Sequence, residues 1–232
     1  MDLLQFGLYP SYPGTPKKDK EIVSDGQGFW AGSGNDKMTA KSTRIEDDSF
    51  PGGFSTIPVI LSGGLGDDIY KFKSKSEWSF ISDAGGGDDL IRFKKKSVFN
   101  PNNPTSDSLI NILLVNNRDV VLIENNPDGG RPNGLAISDP FGRHPQFGDQ
   151  NKIENVRFGD EIISFKKFYK KLKKLASKDN TKDNYVFQEA TYTELDELGV
   201  LPLDGIEDPS QLESGEYLGI GAYNNSLVDS NL

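Results

Sequence analysis

The chain has 232 residues, with 35 acidic against 26 basic side chains for a net charge of −9, 25 glycines and 34% hydrophobic residues. That length allows one large or two small domains with an adequate core, and the lean, glycine-rich composition points to a turn-rich β protein, not a helical bundle. The absence of cysteine removes disulfide scaffolds, thiol catalysis and the usual zinc sites, while the single histidine, His144 in GRHPQ, reads as a loop residue with no GxSxG elbow to serve as a general base.

Residues 1–30 read as an N-terminal extension. Its start, MDLLQFGLYPSYPG, has neither the cationic opening nor the apolar run of a secretory signal. No stretch of about 18 apolar residues is present to span a bilayer. The expectation is a soluble chain that either stays in the cytoplasm or leaves by another address.

Three segments then align with one another: AGSGNDKMT from Ala31, GGLGDDIYK from Gly63 and AGGGDDLIR from Ala84. Each runs small residue, Gly, any, Gly, polar, Asp, any, then an apolar or aromatic residue, here Met38, Tyr70 and Ile91. After the second and third copies the chain alternates through Ile69, Tyr70 and Phe72 and through Leu90, Ile91 and Phe93, as a short strand following a turn does. Further strands are expected at Pro58 to Leu61, Trp78 to Ile81, Leu109 to Val115, Val120 to Ile123, Gly134 to Ser138, Lys152 to Phe158 and Glu161 to Phe165. Asn and Gly cluster between them, at Asn116–Asn117 and from Asn125 to Gly130.

The character changes at Lys166. Phe165, Phe168, Leu172 and Leu175 fall at helical spacing, with eight lysines from Lys166 to Lys182 on the other side, so residues 166–183 are expected to form a basic amphipathic helix. That helix is read as a cap closing the β structure, against the alternative of docking on anionic membrane or nucleic acid. Residues 184–232 form an acidic tail: from Tyr185 onward there are ten acidic residues and no lysine or arginine.

The glycine–aspartate turns suit a hard cation. Ca²⁺ takes about six to eight oxygen ligands at about 2.3 to 2.6 Å, from carboxylates and backbone carbonyls alike. Glycine reaches backbone conformations that aim carbonyls at one point, and the Asp adds a charged oxygen. One turn supplies about half a shell, and a stacked neighbour would complete it. Plain hairpin turns are the bland alternative, since Gly and Asp are their default residues. Adjacent carboxylates such as Asp67–Asp68 and Asp88–Asp89 face opposite ways on a strand and do not suit a glycosidase pair.

GGLGDDIYKF and AGGGDDLIRF, with AGSGND upstream, resemble the RTX (hemolysin-type) repeat GGxGxDxUx. The resemblance implies a mainly β fold, a short parallel β-roll or β-solenoid with irregular insertions, spanning residues 31–165 with the β region that follows; the one basic capping helix near the C-terminus lies beyond the resemblance. It implies metal ligands at Gly32, Gly34 and Asp36, at Gly64, Gly66 and Asp68, and at Gly85, Gly87 and Asp89, with Tyr70 and Ile91 filling the interior. IENVRFGDEI, at Ile153 to Ile162, is similar to the closing pattern that often follows such repeats. The spacing departs from a regular roll: Asp36 to Asp68 is a step of 32 residues and Asp68 to Asp89 one of 21. Insertions must therefore bulge out, and turns on the opposite side are missing. One to three Ca²⁺ ions are expected.

The function implied is calcium binding by an exported RTX-type protein, with Ca²⁺ ordering the fold of an extracellular binding, adhesion or surface-associated module. A cell-surface or glycan ligand would be the partner, with no nucleic acid and no membrane span. The alternative is a non-catalytic accessory domain of a secreted enzyme of epimerase, lipase or protease type. No catalytic constellation is visible, so the chain is not read as an enzyme. The tail is similar to signals read by a Gram-negative type I exporter, with a small acidic domain carrying the helix-start pattern Thr193 to Asp196, or disorder, as the other readings.

Overall fold

The computed structural model describes residues 9–24, 27–41, 44–46, 54–56, 59–73, 78–83, 85–102, 109–124, 133–143, 152–177 and 185–190. They form a mainly β structure of two mixed sheets, one small hairpin and one helix. Seven strands stand close to where the sequence places them: β7 (Val59–Leu65), β9 (Trp78–Ser82), β11 (Ile110–Val115), β12 (Asp119–Glu124), β13 (Asn133–Ile137), β14 (Asn155–Phe158) and β15 (Glu161–Ser164). The short strands after the two matching turns are β8 (Ile69–Lys71) and β10 (Leu90–Phe93).

The remaining strands have weaker patterns. β1 (Tyr9–Pro13) and β2 (Lys20–Ser24) lie within the stretch read as an extension, and pair in parallel with β3 (Gln27–Ser33) and β4 (Lys37–Lys41). β5 (Arg44–Glu46) and β6 (Phe54–Thr56) pair as an antiparallel ribbon in their own sheet. That ribbon lies within the 32-residue step between Asp36 and Asp68. β16 (Tyr185–Ala190) pairs in parallel with β11.

Leaving the ribbon aside, consecutive strands from β1 to β10 fall alternately in the two sheets. β1, β3, β7 and β9 are neighbours in the eight-stranded sheet, and β2, β4, β8 and β10 are neighbours in the six-stranded one. Every pairing among these is parallel. Each of the four passages from the first sheet to the second therefore lands on the same edge, and the three glycine–aspartate turns are the last three of those passages. Antiparallel order enters later, at β11 with β12, β12 with β13 and β14 with β15. The β11–β12 turn needs two left-handed residues, and Asn116 (φ 45°) and Asn117 (φ 58°) supply them.

The core lies between the sheets. Met38, Tyr70, Ile91 and Val156 form one cross-strand row of the six-stranded sheet, all fully buried against residues such as Leu61, Ile81 and Leu122 of the other. In the eight-stranded sheet the opposite row is buried too, through Ile60, Phe80, Ala136, Val121 and Leu113. These strands therefore read as continuous apolar runs, as strands covered on both faces do.

The one helix among the described residues, α1 (Phe165–Ala176), buries Phe165, Phe168 and Leu172, and Leu175 packs partly against the same core. It contacts β14, β15 and β16, which stand at one end of the two sheets, so it closes that end. Phe168 meets Phe93 and Phe158, and Lys173 Nζ sits 4.0 Å above the Phe187 ring of β16. No helix among the described residues is long and apolar enough to cross a membrane. Ser164 caps the helix by accepting the Lys167 backbone N–H at 3.3 Å. Ser164→Ala should lower the melting free energy by about 1 kcal/mol, measured by denaturant titration.

Candidate metal centre

Parallel pairing stacks the glycine–aspartate turns directly on one another. Gly32 stands opposite Gly64 in the β3–β7 register, and the Gly34 N–H donates to the Leu65 carbonyl at 2.7 Å. Gly34 and Gly66 both adopt left-handed φ, near +124° and +125°. A Cβ on Gly66 would collide with the Gly34 carbonyl, so glycine is required there for the turns to approach. Gly85 and Gly87 stack in turn on Gly64 and Gly66.

The stacking carries the aspartates into a ladder. The Asp19 N–H donates to Asp36 Oδ1 at 2.6 Å, the Asp36 N–H to Asp68 Oδ1 at 2.8 Å and the Asp68 N–H to Asp89 Oδ1 at 2.8 Å. The Asp89 N–H ends the ladder on Glu154 Oε2 at 3.0 Å. A second, exposed ladder runs beside it through Asn35, Asp67, Asp88 and Asn155. One oxygen of each buried aspartate is thus committed to the neighbouring turn. The other oxygen, Oδ2 of Asp36, Asp68 and Asp89, is buried without a hydrogen-bond partner.

Repeat alignment leaves out one member of the site. Asp83, at the end of β9 and just before the third turn, is fully buried. Ligand oxygens of Asp68, Asp83 and Asp89 all lie within 4.8 Å of one another, and the three can hold a metal ion. Asp83 Oδ1 accepts the Tyr70 hydroxyl at 2.9 Å, and that hydroxyl accepts the Gly63 N–H at 2.8 Å. Tyr70 thus fills the core as expected and also fixes one carboxylate. Asp83 escapes the sequence because the aligned positions before the other two turns hold Trp30 and Ser62. Its one signal is a charge closing the apolar run WSFIS.

Three acids in such a place resist ionisation. Burial raises Asp68 from 3.8 to about 7, reinforced by the charges of Asp89, Asp36 and Asp67 and opposed by the hydrogen bond from Asp36. Burial likewise lifts Asp89 to about 6. Asp83 is driven well above the carboxylate range, by burial first and by Asp89 next. Asp36 is also raised by burial, yet it has no place in the triad. Buried charge of one sign with open lone pairs needs protons or a cation.

The site's donor set fits a hard cation: carboxylate oxygens dominate, and no nitrogen or sulfur ligand is near among the described residues. Room for it comes from Gly63. A Cβ there would overlap Asp68 Oδ2 and the Tyr70 hydroxyl and crowd Asp83 Oδ1, although the Gly63 backbone itself is not left-handed. Gly63→Ala should therefore weaken metal binding about 10- to 100-fold, measured by calorimetric titration, with the strands intact by circular dichroism.

All nine predicted ligand positions thus fall in one stack, at one edge where the sheets meet. The triad joins Asp68 and Asp89 to Asp83, and Asp36 stands one turn away. His144 and the acidic stretch beyond Ala190 lie outside the described residues. No protein-family model matches the chain, and no curated protein matches it.

Proposed function

We propose that this chain is a calcium-binding protein of the RTX kind, in which Ca²⁺ held by Asp68, Asp83 and Asp89 orders the stacked turns. The observation that carries the reading is the set of buried, unpartnered Oδ2 atoms of Asp68, Asp83 and Asp89 beside the space left by Gly63. Ca²⁺ is favoured over Mg²⁺ because it accepts an all-protein oxygen cage, whereas Mg²⁺ keeps several waters and demands a near-ideal octahedron. The alternation of strands between two sheets, with parallel pairing through four successive turns, supports a short β-roll, interrupted by the β5–β6 ribbon and closed by α1.

The role follows from linkage. A ligand that binds only the folded chain stabilises it by about 2.7 kcal/mol at a hundredfold excess over Kd. Ca²⁺ is millimolar outside cells, so a chain exported with its sites unfilled would fold on arrival. We assign it an extracellular, non-enzymatic binding or adhesion role, with export by the type I route that the turns and acidic tail suggest. Differential scanning calorimetry in EGTA, in millimolar Ca²⁺ and in millimolar Mg²⁺ tests this. A melting temperature several degrees higher in Ca²⁺ alone is expected, and identical curves in all three would overturn the reading.

A further inference from the structure

We propose that the outer face of the six-stranded sheet binds a linear acidic polysaccharide along a band of lysine and arginine side chains.

The inward row Met38, Tyr70, Ile91 and Val156 fixes which residues point outward, because side chains alternate along a strand. On the outer face Lys20 of β2 stands opposite Lys37 of β4. Farther along the strands, Lys71 of β8 stands opposite Arg92 of β10, and Arg92 opposite Arg157 of β14. Five adjacent strands thus each contribute a cation. Lys41, Lys73 and Lys94, all exposed, extend the band at the next outward positions.

Among the described residues these charges are left almost entirely without a carboxylate partner. Among the described residues only Arg157 has a carboxylate within 4.0 Å, the fully exposed Asp160 at 3.6 Å. Lys71 is held below the usual lysine range, by partial burial first and then by Lys37, Arg92 and Lys20. Like charges placed directly across strands destabilise a sheet, and here they gather on one face of a chain whose net charge is −9. A polyanion lying on this face would remove the repulsion.

The spacing selects the kind of polyanion. Neighbouring strands lie about 4.8 Å apart, so Lys71, Arg92 and Arg157 repeat at about that interval in one row, Lys20 and Lys37 do so one outward position earlier, and the five strands together span roughly 20 Å. An extended chain with a carboxylate on every sugar unit presents charge at a comparable interval, and Arg92 can grip a carboxylate with two parallel hydrogen bonds, whereas Arg157 already donates its Nε–H to the Gly159 carbonyl at 2.7 Å. No aromatic residue stands on this face among β2, β4, β8, β10 and β14, so a single-stranded nucleic acid would find no stacking platform. Ile22 and Ile162 are the most exposed apolar residues there, at 56% and 54%, but they sit on opposite edge strands and make no continuous patch for a membrane.

The inference deepens the binding-module reading and draws nothing from the metal centre, so either can fail alone. The test titrates a short oligogalacturonate into the full chain at fixed Ca²⁺, with neutral dextran, single-stranded DNA and phosphatidylserine-containing vesicles as comparisons. Saturable binding is expected, weakening about tenfold or more between low and physiological salt. Lys71→Gln with Arg92→Gln should weaken it at least about tenfold, and Lys20→Gln with Lys37→Gln should do likewise. Lys166→Gln with Lys170→Gln on the helix changes net charge equally and should leave binding unaltered. Ca²⁺ responses of all three variants should match the parent, and none should melt lower, the two sheet variants melting at or slightly above it as the cross-strand repulsion is relieved. The proposal is overturned by no binding, by equal binding of dextran, by an equal loss in the helix variant, or by tighter binding of DNA or vesicles through Lys71 and Arg92.

Discussion

Asp68→Asn combined with Asp89→Asn is expected to abolish the calcium response while leaving the strands in place. Asparagine keeps the Oδ1 that accepts the Asp36 and Asp68 N–H groups, so the ladder between turns survives. What changes is Oδ2, which becomes an amide nitrogen with no lone pair for a cation. Two of the three carboxylates around the site are then gone, and affinity should fall by about 100-fold or more. A further sign separates this from simple damage. In EGTA the double variant should melt at or above the parent, because two ionisable groups that resist burial have been made neutral. Calorimetric titration and melting with and without EGTA read both effects. A retained calcium increment in the variant would mean that the metal is bound elsewhere.

The second large effect is on pH. In the unfolded chain these aspartates ionise near 3.8, whereas in the folded, metal-free chain Asp89 does so at about 6 and Asp68 at about 7, and burial drives Asp83 well above its ordinary value too. Between those values the folded state holds protons that the unfolded state has released. Their contribution to stability is therefore complete below about pH 4, is lost as pH rises through about 6 to 7, and does not return above. In EGTA the melting temperature should fall by several degrees across that window. In saturating Ca²⁺ the cation replaces the protons, so the fall should shrink and the calcium increment should grow with pH. Titration at pH 6.5 in buffers of different ionisation enthalpy should register proton release. A chelated parent whose melting curve tracks the Asp68→Asn, Asp89→Asn variant at every pH would show that these groups do not control stability.

Much of this was legible in the residues. Short apolar runs bounded by Asn and Gly located β7 to β15 closely, with 2-residue alternation clear in β8 and β10, because buried strands must present apolar side chains on fixed faces. The 3.6-residue spacing of Phe165, Phe168 and Leu172 located the helix for the same reason. The glycines of the three aligned turns announced backbone that only glycine adopts, and with them the register of Asp36, Asp68 and Asp89. β1, β2 and β16 were not legible: they are short edge segments whose identity as strands comes from the neighbour they pair with.

The stacked glycine–aspartate turns, the strand pattern and the basic helix are thus properties of the sequence by itself, since each rests on local backbone preference or on a period along the chain. The site's membership was decided by the tertiary structure. Asp83 lies 15 residues from Asp68, outside any repeat position, and reaches the other two carboxylates only because β7 and β9 pair in parallel. Tyr70 becomes the holder of Asp83 only because the same pairing brings β9 beside the Gly63 turn. Likewise the cationic band exists only across strands, where residues 17, 21 and 65 positions apart stand side by side. A linear pattern encodes which residue can turn or alternate, whereas which charges meet depends on register between strands distant in the chain.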